Sequence, residues 1–243
     1  MLLDKISLAK LGGGIAKRYV CTVKRILIIG NSGGIGAALE TEYLRKGWLC
    51  TGIARRAQGL DFKRPETISS ALAVLDETFA TVIIATGALT IGSVGPEKTI
   101  RAVTGRGMAD QMQVNAIGPA LILSQIGRLL PRDQPARVAV LSARVGSIGD
   151  NRLGGWISYR AAKAALNQIV HTSAIELSRS HPLLACFSLH PGTVETPLTK
   201  PFVANHSSLP ASQAAVMLHE VIEAREACDT GEFFDQNGLR VPW

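Results

Sequence analysis

Two residues one helical turn apart, Tyr159 and Lys163, form a pair that could carry proton chemistry. A spacing of four residues places both side chains on one face of a helix. A free phenol has a pKa of about 10, which is too high for proton exchange near neutral pH. We predict that the Lys163 ammonium lowers the pKa of Tyr159, so that the phenol exchanges a proton with a carbonyl or alkoxide oxygen. The same spacing also arises by chance in many helices, so its meaning depends on the rest of the chain.

A glycine-rich loop near the start of the chain supplies a second candidate feature. It runs Gly30-Asn31-Ser32-Gly33-Gly34-Ile35-Gly36 and joins an apolar run to an amphipathic helical pattern. We predict that Gly30 permits a tight turn, Gly34 lets the backbone approach a pyrophosphate, and Gly36 lets the helix pack closely on the strand. Phosphates would then bind the free N–H groups at the helix N-terminus. The loop therefore predicts a dinucleotide cofactor, with an ordinary strand-to-helix turn as the alternative.

The residues after the second apolar run indicate which cofactor binds. NAD-binding domains carry an acidic residue about 20 positions after the glycine loop, where its carboxylate binds a ribose 2′-hydroxyl. This chain has Ala54-Arg55-Arg56 in that region instead. Because arginine forks suit a 2′-phosphate, we predict NADP(H) rather than NAD(H). Two arginines in a solvated loop are the alternative.

Apolar runs and helical patterns alternate along the chain and must position these residues. The predicted strands are 25–30, 48–54, 80–85, 138–142 and 184–190, and the predicted helices are 34–46, 67–78, 108–130, 159–179 and 212–227. This alternation favours an α/β fold: a single-domain Rossmann fold with a doubly wound parallel sheet and helices on both faces. We predict this domain over residues 25–243. Residues 1–24 are predicted to be an N-terminal extension, either a disordered arm or the product of a start codon placed too early.

Charge and composition argue against several other classes of function. The net charge is +7, but residues 1–25 carry six basic residues and one acidic residue, which leaves +2 for the remainder. A basic tail is not a surface that reads nucleic acid, so we expect no nucleic-acid partner. No run of 18 apolar residues occurs, so we expect no membrane partner. The four cysteines show no C-x-x-C spacing, which argues against a metal site and favours a cytoplasmic location.

Taken together, these motifs resemble the short-chain dehydrogenase/reductase superfamily over about residues 25–243. The resemblance also rests on Asn115 within Val-Asn-Ala, on Pro191-Gly192-Thr193, and on the stretch from Ser142 to Trp156. The endings at 231–235 and 241–243 are typical of its C-factor-like (CsgA-like) and sniffer-like carbonyl reductase branch. The resemblance implies a small, apolar carbonyl or alcohol substrate and a homodimer or homotetramer.

The resemblance also implies roles for single residues. Tyr159 would be the general acid in reduction, Lys163 would bond the nicotinamide ribose, and Asn115 would hold a water that relays protons to Lys163. Asp61 would contact adenine. The other implied contacts are to the cofactor, from Asn31, Ser32, Ile35, Ala85, Thr86, Gly87, Pro191, Gly192, Thr193, Val194 and Thr196, and to the substrate, from Trp156 and Ile157. The alternatives are a helix-bending polar residue for Asn115 and an exposed loop acid for Asp61.

One position departs from the family pattern. The family's substrate-polarising serine is usually the second of two serines at the end of the 138–142 strand, and here that pair reads Ser142-Ala143. A slip of one residue points a side chain to the opposite face of a strand. Either Ser142 acts through a local bulge, or Ser147 supplies the hydroxyl, or the hydrogen bond is absent; we favour Ser142. The departure keeps open a second function, a cofactor-binding regulatory or signalling protein with weak or lost catalysis.

Overall fold

The apolar runs of the sequence form the centre of a parallel sheet. The computed structural model describes residues 23–201 and 208–243. The strands are β1 (Arg25–Ile29), β2 (Leu49–Ile53), β3 (Thr81–Ile84), β4 (Ala136–Leu141), β5 (Leu184–His190), β6 (Val194–Glu195), β7 (Leu209–Pro210) and β8 (Phe233–Asp235). Six of them pair in the order β2-β1-β3-β4-β5-β8, and every pairing in this sheet is parallel. β6 and β7 form a separate two-stranded sheet.

Helices cover both faces of the sheet because the strands are apolar on both sides. The helices are α1 (Gly34–Arg45), α2 (Arg55–Gln58), α3 (Glu66–Ala73), α4 (Gly105–Met112), α5 (Gly118–Ile126), α6 (Ile157–Ser178) and α7 (Ala211–Glu223). Alternate strand residues contribute to two hydrophobic clusters. One cluster includes side chains of α3, α5 and α6, and the other includes side chains of α1 and α7. This is the doubly wound α/β arrangement that the sequence predicts.

The structure corrects several predicted elements. The region after β2, predicted as a loop, begins with the short helix α2, which ends at Gln58 and is followed by its C-cap Gly59, with a φ of 71°. The predicted 67–78 helix ends at Ala73. The predicted 212–227 helix ends at Glu223, because a capping box between Glu226 and Asp229 starts a new turn. β8 was not predicted, since three residues are too few to show a periodic pattern.

The predicted helix over 108–130 begins earlier, at Gly105, where the Thr104 hydroxyl accepts the Gly107 N–H. It is also not uniform, because a π turn over Gln113–Ile117 joins α4 to α5.

Three further sequence predictions concern the N-terminal extension, membrane spans and metal sites. The predicted N-terminal extension lies almost wholly outside the described residues and stays a prediction. Within the described part of the chain, no helix is long and apolar enough to span a membrane. Across those same residues, no group of three potential ligands could hold a metal ion.

Candidate functional site

The glycine loop lies at the carboxyl edge of the sheet, between β1 and α1. Gly30 has a φ of 99°, and its N–H donates to the Ile53 carbonyl at 2.7 Å. A side chain on Gly36 would collide with the Gly30 carbonyl oxygen, so glycine here lets α1 start directly against the end of β1. The predicted structural roles of Gly30 and Gly36 are therefore confirmed.

Gly34 lies against Thr196. A Cβ at Gly34 would lie 2.6 Å from Cγ2 of Thr196, so the missing side chain makes room for this threonine. The approach of a pyrophosphate to the Gly34 backbone stays a prediction. The close contact brings the 192–196 segment to the N-terminus of α1. At that terminus the described residues supply no side-chain cap, and the first turn holds no acidic residue. This end of α1 is therefore suited to an anion.

The other members of the loop differ in where their side chains point. Asn31 turns away from the α1 terminus, lies against Gly52, and donates from Nδ2 to Glu40 at 3.1 and 3.2 Å. Ser32 is exposed, and Ile35 is half-buried and packs against the cluster below α1. Any contact of Asn31 with a phosphate at this terminus would thus come from its backbone.

Tyr159 and Lys163 lie in the first two turns of α6, which begins just beyond the loop after β4. Both side chains are buried, and Nζ of Lys163 lies 5.9 Å from the centre of the Tyr159 ring. Nζ donates to the Leu141 carbonyl at the end of β4, at 3.0 Å. Gly146 permits the approach of the preceding turn, since a Cβ there would lie 2.8 Å from Cβ of Lys163. The pair is thus fixed against the carboxyl edge of the sheet.

Burial changes the predicted electrostatics of this pair. Burial lowers the pKa of Lys163 to about 7 and raises the pKa of Tyr159 well above its usual value. Burial therefore outweighs any lowering by Lys163, and the pKa of Tyr159 lies above its usual value rather than below it as predicted. An amine that loses half its charge near pH 7 cannot offset the cost of burying a phenolate. At neutral pH the phenol is protonated.

Asn115 joins the helix layer to the segment after β3. It lies in the π turn and is fully buried. Its side chain accepts the N–H of Ala88 and donates to the Ala88 carbonyl, both at 2.9 Å, and donates to Gln111 at 2.6 Å. A Cβ at Gly87 would lie 3.0 Å from Oδ1 of Asn115 and 3.4 Å from Nζ of Lys163. Gly87, Asn115 and Lys163 therefore meet, and both amide protons of Asn115 are already committed within the protein.

Ser142 follows directly after β4 and is buried. Its hydroxyl donates to Oδ1 of Asn167 at 2.5 Å. The other candidate hydroxyl, that of Ser147, is also buried and accepts the N–H of Asp150 at 3.1 Å. Ala143 is extended and half-buried, so its side chain points away from that of Ser142. Each candidate serine thus has a partner within the protein, and the choice between them stays a prediction.

The predicted adenosine-side residues lie after β2, beside the glycine loop. Arg55 and Arg56 are exposed in α2, and neither forms an ion pair with any residue that the structure describes. Asp61 serves its own turn, where it accepts the Lys63 N–H at 3.0 Å and pairs with Arg64 at 3.2 Å. The hydrogen bond from the Lys63 N–H and, to a smaller extent, the Arg64 guanidinium hold the pKa of Asp61 below its usual value. Its contact with adenine stays a prediction.

Buried polar atoms without protein partners lie along the same edge. Among the described residues these include Oγ1 of Thr86, Nδ1 of His190 and Oε1 of Gln236. Thr86 follows β3 and lies near Gly30, while Gln236 lies against Gly192, which has a φ of 80°. Pro191 is half-buried, Thr193 is exposed, and Val194 is buried in β6. The uncapped α1 terminus, the exposed arginines and these polar atoms fit a dinucleotide bound at this edge.

Sequence reasoning missed several residues that shape this site. Asn167 lies four residues after Lys163, so helical spacing would have placed it on the same face. Glu97 accepts hydrogen bonds at the start of α6 from 61 positions away. No local pattern reveals such a partner, because only the folded chain brings the two segments together.

Known proteins resemble this chain in sequence. The model of a family described as enoyl-(acyl carrier protein) reductase matches residues 49–234. A 1-hydroxy-2-glutathionyl-2-methyl-3-butene dehydrogenase of Rhodococcus sp. is 35% identical over 133 residues, which cover 55% of this chain and 57% of that protein. The C-signal of Myxococcus xanthus is 35% identical over 136 residues, which cover 56% of this chain and 78% of that protein. The match therefore spans little more than half the length of the Rhodococcus enzyme.

Solved structures share the fold. A short-chain dehydrogenase/reductase from Burkholderia multivorans with bound NADP has a TM-score of 0.78 and 27% identity, covering 91% of this chain and 100% of that chain. The carbonyl reductase Sniffer of D. melanogaster has a TM-score of 0.70 and 22% identity, with the same coverage of both chains.

Proposed function

This chain belongs to the short-chain dehydrogenase/reductase family, and we propose that it transfers a hydride between NADP(H) and a small, apolar carbonyl or alcohol substrate. The observation that carries the proposal is the buried Tyr159–Lys163 pair, held at the carboxyl edge of the sheet beside Gly87 and Asn115. In open α/β sheets this edge is where ligands bind.

NADP(H) is proposed as the cofactor on charge. Arg55 and Arg56 follow β2, are exposed and, within the described residues, form no ion pair, although the charge of Arg55 acts on Asp61. They are available to grip a 2′-phosphate through forked hydrogen bonds. The Burkholderia multivorans structure that resembles this chain holds NADP, which supports the same choice.

When bound, the nicotinamide supplies or accepts the hydride. In reduction, Tyr159 holds the proton that the substrate oxygen needs, and burial keeps that phenol protonated at neutral pH. Lys163 donates to the Leu141 carbonyl and is positioned to share a hydrogen bond with a ribose hydroxyl near Gly87. The Trp156 ring lies 6.2 Å from the Tyr159 ring, edge to face, and gives the substrate side an apolar wall. Such a wall favours a ketone, aldehyde or quinone without charge.

The decisive experiment measures carbonyl-dependent loss of NADPH absorbance over a panel of ketones, aldehydes and quinones. Tyr159→Phe removes the acid and should lower kcat about 10²–10⁴-fold, as loss of a positioned acid typically does. NADPH binding, followed by nucleotide fluorescence, should persist in the variant and serves as its control. Equally slow oxidation by wild type and variant across the panel would contradict the enzyme proposal.

A regulatory or signalling protein with weak or lost catalysis is the second candidate. It is favoured by the Ser142 hydroxyl, which is committed to Asn167, and by alanine at position 143. Both candidates bind NADPH, but only the first consumes it. The homodimer or homotetramer and the cytoplasmic location stay proposals; light scattering tests the first and cell fractionation the second.

A further inference from the structure

Helix α6 carries Tyr159 in its first turn but has no cap of its own. Its N-cap residue is Trp156, whose side chain makes no capping hydrogen bond. The Trp156 backbone is left-handed, with a φ of 52°, and follows Gly154 and Gly155 at 63° and 66°. A bulky residue holds this conformation only where its surroundings enforce it. Contacts from elsewhere in the chain must therefore fasten the start of α6.

Glu97, in the segment between β3 and α4, supplies the missing cap. Its Oε2 accepts the Ser158 N–H at 3.2 Å, and its Oε1 accepts the Ser158 hydroxyl. Its backbone carbonyl accepts the Trp156 N–H at 2.6 Å. Ser158 is buried, so these groups have little water to replace Glu97. A carboxylate at this place also meets the positive end of the helix dipole.

The carboxyl group is ionised where it acts. Burial tends to raise the pKa of Glu97, but the hydrogen bonds from the Ser158 hydroxyl and from backbone N–H groups hold it below its usual value. The cap is therefore an anion at neutral pH.

Arg160 fastens the other side of the same turn. Its Nε donates to the Gly155 carbonyl at 2.9 Å, and Nη2 donates to the Gly154 carbonyl at 3.1 Å. Nη1 donates to the Val145 carbonyl at 3.3 Å, on the segment that follows β4. Two residues thus hold the left-handed turn: Glu97 accepts hydrogen bonds on one side, and Arg160 donates three on the other.

We propose that Glu97 is a positioning residue that fixes Tyr159 by capping the first turn of α6 through Ser158. The phenol lies one residue beyond Ser158, so loss of the cap frays the turn that carries it. This inference rests on the proposed reductase function. Glu97 itself does not touch the reacting atoms; it sets where the phenol stands relative to Lys163.

The test compares Glu97→Ala with Glu97→Gln, which keeps one acceptor oxygen for Ser158. We expect Glu97→Ala to lower kcat about tenfold and Glu97→Gln to restore part of it. The reason is that loss of a helix cap typically shifts the equilibrium between the folded and the frayed first turn by up to about tenfold. The Kd for NADPH should stay within about twofold of wild type, since the capped turn is not part of the glycine loop. Glu176→Gln, the same change at the exposed far end of α6, is the matched control.

A second readout does not depend on activity. By amide hydrogen exchange, residues 157–160 should exchange about tenfold faster in Glu97→Ala, with the middle of α6 unchanged. Unchanged exchange there, or a kcat equal to wild type in both variants, would overturn the inference, as would equal losses in kcat and NADPH affinity. A wild type that consumes no NADPH would instead refute the proposed function, and the exchange measurement would still decide the role of Glu97.

Discussion

Tyr159 and Lys163 lie side by side in a buried position, and burial moves their pKa values in opposite directions. The spacing of the two residues predicts their proximity, but it does not report how far each is removed from water. Desolvation depends on Gly146, on the loop after β4 and on β4 itself, all brought together by the fold. The sequence thus predicts that the two residues lie close together, while only the structure shows which protonation state of each burial favours.

Selectivity for the cofactor is predicted to depend on the positive charge after β2. Arg55→Asp should weaken NADPH binding about 10–100-fold, because one or two charge-assisted hydrogen bonds are lost, and should make NADH the tighter ligand. Nucleotide fluorescence titrations measure both affinities. Arg132→Asp changes charge equally at an exposed site before β4 and should leave the preference intact. Equal affinity of the wild type for the two nucleotides would refute the NADP assignment.

The role of Ser142 is testable through its partner. If the Ser142 hydroxyl polarises the substrate, Ser142→Ala should lower kcat about 10²–10³-fold, as loss of one such donor does. Asn167→Leu, which keeps the branched shape of the side chain but removes the acceptor and so frees that hydroxyl, should then leave kcat unchanged or raise it. Steady-state kinetics of both variants decide the matter. Equal losses in the two variants would show that the hydroxyl serves only to hold α6 against β4.

Strands and helices with periodic apolar residues were predictable from the sequence, and the turns that interrupt them were not. β5 has its predicted bounds, and α1 and α6 end one residue before their predicted ends, because their apolar residues recur with the periods of a strand or a helix. The π turn at Gln113–Ile117 leaves no such trace. Within this turn Asn115 bonds the Ala88 backbone, 27 positions earlier in the chain. Such turns are frequent at functional sites, which agrees with the position of this one beside Gly87.

The same limit applies to the connections around the site. Glycines at 30, 34 and 36 are visible in the sequence, yet only the structure reveals that Thr196 occupies the space beside Gly34. That contact links the segment after β5 to the start of α1, although β3 and β4 lie between β1 and β5 in the sheet. The glycines of this loop are therefore visible in the sequence, whereas their packing against other segments depends on which loops the topology places together.

The whole molecule bears a cost for holding an amine in its core. In the folded protein the pKa of Lys163 is about 7, below the roughly 10.4 of an exposed lysine. Between these two values the unfolded chain binds more protons than the folded chain, so the free energy of unfolding rises with pH across this interval. Below about pH 7 the full cost of burying the ammonium is present, and above about pH 10.5 it has vanished.

Replacing Lys163 with methionine should therefore stabilise the protein while it abolishes turnover. The gain in Tm over wild type should be largest at or below pH 7, at about 2–4 °C for each kcal/mol relieved, and should shrink as the pH approaches 10. Thermal unfolding without added nucleotide measures it, with Lys98→Met, at an exposed position, as the control that shows no pH-dependent gain. A Tm difference independent of pH would mean that Lys163 is not held as a desolvated amine. In that event the stability cost of this site would have to come from other groups along the carboxyl edge, such as His190, whose Nδ1 has no hydrogen-bond partner among the described residues and whose pKa burial lowers to about 4.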